Sequence, residues 1–221
     1  MITTTLNRLI IQLLLYHFKF ISNKMRKNRL EAFSDGVLAI IITIMVLELK
    51  VPHGYELHDL QPLIPKFLSY LLSFIYIAIY WNNHHHMLHT AKYVTGGILW
   101  ANMHLLFWLS LIPFTTAWMG ENNFAPIPMA LYGLVLLMAA VAYFILQKQI
   151  IRNHGKESIL AKAIGKDYKG KASPILYSLA IASCWVNAWI AGIIYILITI
   201  VWLIPDKRIE IIFNEEEVEK Q

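Results

Sequence analysis

The sequence has few charges and almost no cysteine. Only 15% of its 221 residues are Asp, Glu, Lys or Arg, against about 25% in an ordinary soluble domain. A soluble chain of this size needs a polar shell. With 57% hydrophobic and 13% aromatic residues, a water-soluble fold would expose large apolar patches. That excludes a soluble enzyme, an extended disordered chain and a nucleic-acid binder. The single cysteine, Cys184, excludes an intrachain disulfide framework and a cysteine-based metal site. No Ser-His-Asp arrangement, phosphate-binding glycine loop, fixed-period repeat or low-complexity block is visible. A mean hydropathy of +0.52 leaves a membrane protein.

What is present is a series of long uncharged runs. A helix needs about 20 apolar residues to cross about 30 Å of hydrocarbon. Residues 67–91, 93–120 and 122–147 contain no Asp, Glu, Lys or Arg, and each suits one crossing. Residues 172–205 are also uncharged, and as one helix they would run roughly 50 Å. That is too long for a single span. Trp185, Asn187, Trp189 and Gly192 lie near its middle, where a tight turn with interfacial aromatics fits, so the run reads as a hairpin of two short spans. Residues 33–49, interrupted only by Asp35 and Glu48, supply another. The expectation is an all-α membrane protein with six transmembrane helices.

The net charge is +5, and its placement gives the orientation. Lys19, Lys24, Arg26, Lys27 and Arg29 precede the first span. Lys148, Arg152, Lys156, Lys162, Lys166, Lys169 and Lys171 fall in a long basic loop after the fourth, against only Glu157 and Asp167. The loops of the opposite side are poor in Lys and Arg. The positive-inside rule puts both termini and the basic loop in the cytoplasm. That loop is a topology determinant; its alternative role is to bind anionic lipid head groups. The organisation is an N-terminal extension (1–24), a six-span domain (25–205) and a charged cytoplasmic tail (206–221). For the extension, the residues leave three readings: a start at Met25, a loosely attached amphipathic helix, or a seventh span.

The first span carries the most information. At 100° per residue, Phe33, Val37, Ile40, Thr43, Ile44 and Leu47 fall on one side, with Asp35 on the opposite flank. An acid at a membrane boundary needs a partner or water. Arg29 lies off that face, which points to a partner on another helix. Pattern alone allows a plainer account, in which Asp35 caps a packed helix and the stripe is ordinary lipid-facing or core surface.

The string Arg29-x-x-x-Phe33-Ser34-Asp35, followed by a small residue and an aliphatic run containing Thr43, resembles the signature of the transmembrane protein 175 family. These are potassium-permeable channels of endosomes and lysosomes with shorter prokaryotic homologues. The resemblance covers roughly residues 26–205. It includes Tyr80-Trp81-Asn82-Asn83-His84-His85 ending the second span, and Asn102 with Pro113-Phe114 in the third. The motif occurs once, as in the prokaryotic form with one six-span unit per subunit. The resemblance implies a potassium channel of the prokaryotic plasma membrane, a homotetramer whose first helices surround a central pore. The Thr-Val-Gly-Tyr-Gly filter of ordinary potassium channels is lacking in the family and in this sequence. In its place the resemblance implies a constriction of aliphatic side chains, here Ile40, with Thr43 one turn on and Leu47 a further turn along. Such a hydrophobic ring acts as filter and gate by dewetting, and its preference for potassium over sodium should be modest. Ala39 stands where some members carry a serine beside the constriction, so no hydroxyl is expected there. The motif residues Arg29, Phe33, Ser34 and Asp35 are expected to tie the first span to its neighbours, through Trp81, His84 or Asn102.

Four histidines, His84, His85, His86 and His89, end the second span. His85 and His89 have the i, i+4 spacing that can chelate zinc on a helix. A metal hydrolase also wants a carboxylate base on that face, and none is there. The expectation is no metal, no cofactor beyond potassium as permeant ion, and no enzymatic activity. The histidines are read instead as neutral imidazoles closing a hydrogen-bond network, able to confer pH sensitivity. The partners expected are potassium, the bilayer and other copies of the chain. The alternatives are a secondary ion transporter, which would show inverted repeats and broken helices, and a non-catalytic structural membrane protein. Pro113 and Gly133 are read as breaking single helices without matched counterparts.

Overall fold

A computed structural model describes residues 27–165 and 167–203. The N-terminal extension and the charged tail fall outside the described residues. Within them the chain is helical, and the described residues contain no strand.

Helix α1 (Lys27–Leu47) runs without interruption through Ser34 and Asp35. The Ser34 hydroxyl donates back to the Leu30 carbonyl at 2.8 Å, which satisfies it inside the helix. A loop and a 3-10 turn (Leu57–Leu63), closed by a capping box between Glu56 and Asp59, lead into α2 (Ile64–His89). Pro65 sits in the first turn of α2, where its missing N–H costs nothing. α3 (Gly96–Ser110) starts on the side-chain cap of Thr95 and gives way at Leu111 to α4 (Ile112–Glu121). Pro113 explains the break, because it removes a donor and clashes with the preceding turn.

The turn between α4 and α5 is strained. Asn123 and Phe124 have φ of +48° and +60°, a region bulky residues rarely occupy. The Phe124 ring packs on Trp189, centroids 5.7 Å apart.

α5 (Pro126–His154) is the centre of the bundle and packs on α3, α4, α7 and α8. Its buried face includes Ala130, Gly133, Ala139 and Ala142, small residues that let helix backbones approach where no hydrophobic driving force separates protein from lipid. Gly133 does not break the helix. A Cβ there would lie 2.0 Å from the Tyr195 hydroxyl oxygen, so glycine is present to admit Tyr195. That tyrosine donates to the Met129 carbonyl at 3.0 Å, and the Tyr76 hydroxyl donates to the Tyr195 carbonyl at 2.7 Å. Ser73 bonds both Thr116 (2.7 Å) and Tyr132 (3.0 Å). Tyr76, Tyr195, Ser73, Thr116 and Tyr132 are thus all paired, as a water-free interior demands.

Two boundaries differ from the sequence reading. The basic loop expected from Lys148 is helical for two more turns, since Lys, Gln and Arg are good helix formers. The helix stops at Gly155, whose φ of +88° suits a residue without a side chain. The rest of that segment includes α6 (Ile159–Ile164), capped by Ser158. The uncharged run after residue 172 does fold as a hairpin: α7 (Tyr168–Ser183) and α8 (Ala188–Leu203), with the turn at 184–187. Trp189 and Gly192 belong to α8 rather than to the turn. By length and composition, four helical segments among the described residues can cross a membrane: Lys27–Leu47, Leu57–His89, Gly96–Glu121 and Pro126–His154. α7 and α8 have 16 residues each, about 24 Å at 1.5 Å per residue.

Candidate functional site: the two faces of the first helix

α1 presents two unlike faces. Leu30, Ser34, Leu38, Ile41 and Met45 are buried, at the i, i+4, i+8, i+11, i+15 spacing of one helical side. The opposite side holds Phe33, Ile40, Thr43, Ile44 and Leu47, all exposed, whereas Val37, read from the sequence as part of the same stripe, is half-buried against the core. Ile40 is 60% and Leu47 71% exposed. Among the described residues nothing covers this stripe, and none of its side chains is charged. The Thr43 hydroxyl donates to the Ala39 carbonyl at 2.9 Å, which leaves its oxygen lone pairs turned to the same open side.

The buried face is anchored by hydrogen bonds to two other helices. Asn102 of α3, with no exposure, donates from Nδ2 to the Ser34 hydroxyl at 2.9 Å. Its Oδ1 lies 2.6 Å from His84 Nε2 of α2, so His84 carries its proton on Nε2 and donates. A relay therefore runs from the Leu30 carbonyl through Ser34 and Asn102 to His84, joining α1, α3 and α2 where no water competes. Nearer the surface, Trp81 Nε1 donates to the Asp35 carboxylate at 3.0 Å. Of the motif residues read from the sequence, Ser34 is joined to Asn102, with His84 behind it, and Asp35 to Trp81. Arg29 and Phe33 stand outside these contacts: Arg29 is exposed and makes no hydrogen bond among the described residues, and Phe33 is exposed on the bare stripe.

A second set of contacts escaped the sequence reading. Lys27 Nζ donates to the His89 carbonyl at 2.8 Å, capping the end of α2, and lies 3.8 Å from Glu31. Lys27, Glu31 and Asp35 are spaced i, i+4, i+8 on α1. Trp81, His85 and His89 have the same spacing on α2, with rings stacked 6.1 Å apart at each step. The matched spacing on two segments was the available signal. The His85 and His89 rings lie nearly parallel, at 19°, so they do not converge on a common point. Among the described residues no group of three His, Cys, Asp or Glu is placed to hold a metal.

Residues 29–113 match the family described as endosomal/lysosomal potassium channel TMEM175. These residues hold α1 from Arg29 onward, the relay and the Trp81–Asp35 bond. A potassium channel of Chryseobacterium sp. (strain P1-3) is 58% identical over 186 residues, 84% of this chain and 97% of that one. The chain belongs to the TMEM175 family. A second member, a potassium channel of Chamaesiphon minutus, is 31% identical over 188 residues, covering 77% of this chain and 90% of its own. The crystal structure of a lysosomal potassium-selective channel TMEM175 homolog from Chamaesiphon minutus superposes with a TM-score of 0.72 at 29% identity. The match covers 82% of this chain and 98% of that one. With four helical segments long and apolar enough to cross a bilayer, this TMEM175 member is an integral membrane protein.

Proposed function

We propose that the protein is a potassium-permeable channel, a homotetramer conducting passively through a central pore lined by α1, and not an enzyme. The observation that carries this reading is the uncharged stripe of α1, left uncovered among the described residues and lying opposite the face that Ser34, Asn102 and His84 anchor. A helix held rigidly on one side and bare on the other suits a place at a symmetry axis, where copies of the same stripe face one another. Ile40 forms the constriction, Thr43 the polar layer next to it, and Leu47 a further apolar ring. The rise of 1.5 Å per residue sets them roughly 4–6 Å apart along the pore.

An aliphatic ring offers a cation no ligand, so the ion sheds part of its hydration shell to pass. Potassium holds its water less tightly than sodium and passes at lower cost. Selection rests on dehydration alone, so it is modest. Each subunit crosses the membrane six times, with α7 and α8 as a short hairpin, and both termini and the basic segment face the cytoplasm, in keeping with the positive-inside rule. The prokaryotic plasma membrane is the proposed site. No cofactor is required, potassium being the permeant ion.

The test is potassium efflux from liposomes containing the purified protein, driven by a potassium gradient with a protonophore as charge return. Efflux that proceeds without a second substrate ion supports a channel. Saturable flux that requires a counter-ion would identify a transporter and overturn the proposal.

A further inference from the structure

Away from α1, a cleft of about 50 Å³ opens among α2, α5, α7 and α8. Its walls are largely aromatic: Tyr80, Tyr143, Phe144, Tyr177 and Trp202. Tyr80 and Tyr143 meet edge to face, centroids 6.2 Å apart and planes at 67°. Trp202 is fixed by a 2.8 Å hydrogen bond from its Nε1 to the Ser173 hydroxyl, so that wall is rigid.

Two polar features set the cleft apart from a packing defect. Gln147 lines it and is 93% buried, yet its amide makes no hydrogen bond among the described residues. The second feature is Asp167 at the mouth. One carboxylate oxygen accepts from the Gly170 backbone N–H at 3.0 Å as the cap of α7. That leaves the negative charge and the second oxygen beside the aromatic walls.

An aromatic box with one carboxylate at its edge and an unpaired amide inside is complementary to an organic ammonium group. The ring faces attract the cation, the carboxylate completes the charge, and the amide oxygen accepts an N–H or a carried hydroxyl. The wall already attracts such a charge within the protein: Lys148 Nζ lies 4.4 Å from the Phe144 ring centre.

We infer that this cleft is a binding site for an alkylammonium group, borne either by a lipid headgroup or by a free amine. The inference does not depend on the conduction proposal, and it is tested by binding rather than by current. Thermal unfolding of the purified protein is followed in detergent with choline or with its neutral carbon analogue 3,3-dimethylbutanol. It is repeated in nanodiscs of phosphatidylethanolamine or of phosphatidylglycerol. A saturable upward shift with choline but not with the neutral analogue identifies a free-amine site. A shift only in phosphatidylethanolamine identifies a headgroup site, and either result supports the inference.

Asp167→Asn keeps the α7 cap, since asparagine caps helices equally well, and tolerates the left-handed backbone there, φ +34°. It removes the charge and should weaken binding about tenfold, the fold-change of 1.4 kcal/mol. Tyr80→Leu, which removes a wall, should do the same. No saturable shift in any arm, an equal shift with the neutral analogue, or undiminished binding in Asp167→Asn would overturn the inference.

Discussion

Replacing Asn102 by leucine removes the middle of the relay while keeping a side chain of similar shape. The Ser34 hydroxyl loses a donor but still donates to Leu30, so its loss is partial. His84, 2% exposed, loses the acceptor 2.6 Å from Nε2 and has no water to replace it. Interhelical hydrogen bonds in bilayers average about 0.6 kcal/mol, with about 1.7 as the upper end. A buried donor left unpaired adds about 1–3 kcal/mol in soluble proteins. The expected destabilisation is therefore between about 1 and 3 kcal/mol, roughly 5- to 150-fold in the unfolding constant. It would be read from denaturation in mixed micelles by loss of helical circular dichroism. The double variant Asn102→Leu, His84→Leu should be less destabilised than the two single changes summed, because no unpaired imidazole remains. Asn102→Leu within about 0.5 kcal/mol of the parent, or strict additivity in the double variant, would refute the relay as a structural anchor, because changes of that size are ordinary for surface sites.

Three further changes are graded by their surroundings. Gly133→Ala places a methyl 2.0 Å from the Tyr195 hydroxyl, so overpacking should cost about 1–3 kcal/mol; adding Tyr195→Phe should recover part of it in the same denaturation assay. Trp81→Phe removes the exposed bond to Asp35 and should shift stability by less than about 1 kcal/mol, since water replaces the lost partner. Glu121→Gln breaks the 3.1 Å pair with Lys66, whose side chains are 49% and 25% exposed, and should cost at most about 1 kcal/mol, an effect that shrinks as salt is raised.

Much of this arrangement was legible in the sequence, and where it was not the reasons are physical. The stripe from Phe33 to Leu47 followed from the 3.6-residue period. The sequence could not say which apolar face of α1 the chain would cover, because Leu38, Ile41 and Met45 are as apolar as Ile40, Ile44 and Leu47. Lipid, pore and protein neighbour all accept the same residues, and the family resemblance, not the period, singled out Ile40. Arg29, Phe33, Ser34, Asp35, Trp81, His84 and Asn102 could be named as a group from the family resemblance, and Arg29 and Phe33 stand outside the bonds that form. The pairing of the others could not be named, because the bonds join residues 46 and 68 positions apart. The charges from Lys148 onward suggested a loop, yet charge does not end a helix, and α5 continues to Gly155. Gly133 suggested a break, whereas between lipid-embedded helices glycine permits close contact. The aromatic cleft gave no local signal, because α2, α5, α7 and α8 each supply only part of it.

The most direct test of the central claim is the reversal potential of reconstituted channels carrying Ile40→Asn, with potassium on one side and sodium on the other. An amide ring in place of the aliphatic one lets the ion keep more of its water. Conductance should rise, and the reversal potential should move toward zero as the preference for potassium disappears. If conductance and reversal potential match those of the parent, the constriction is not at Ile40 and α1 does not line the pore as proposed.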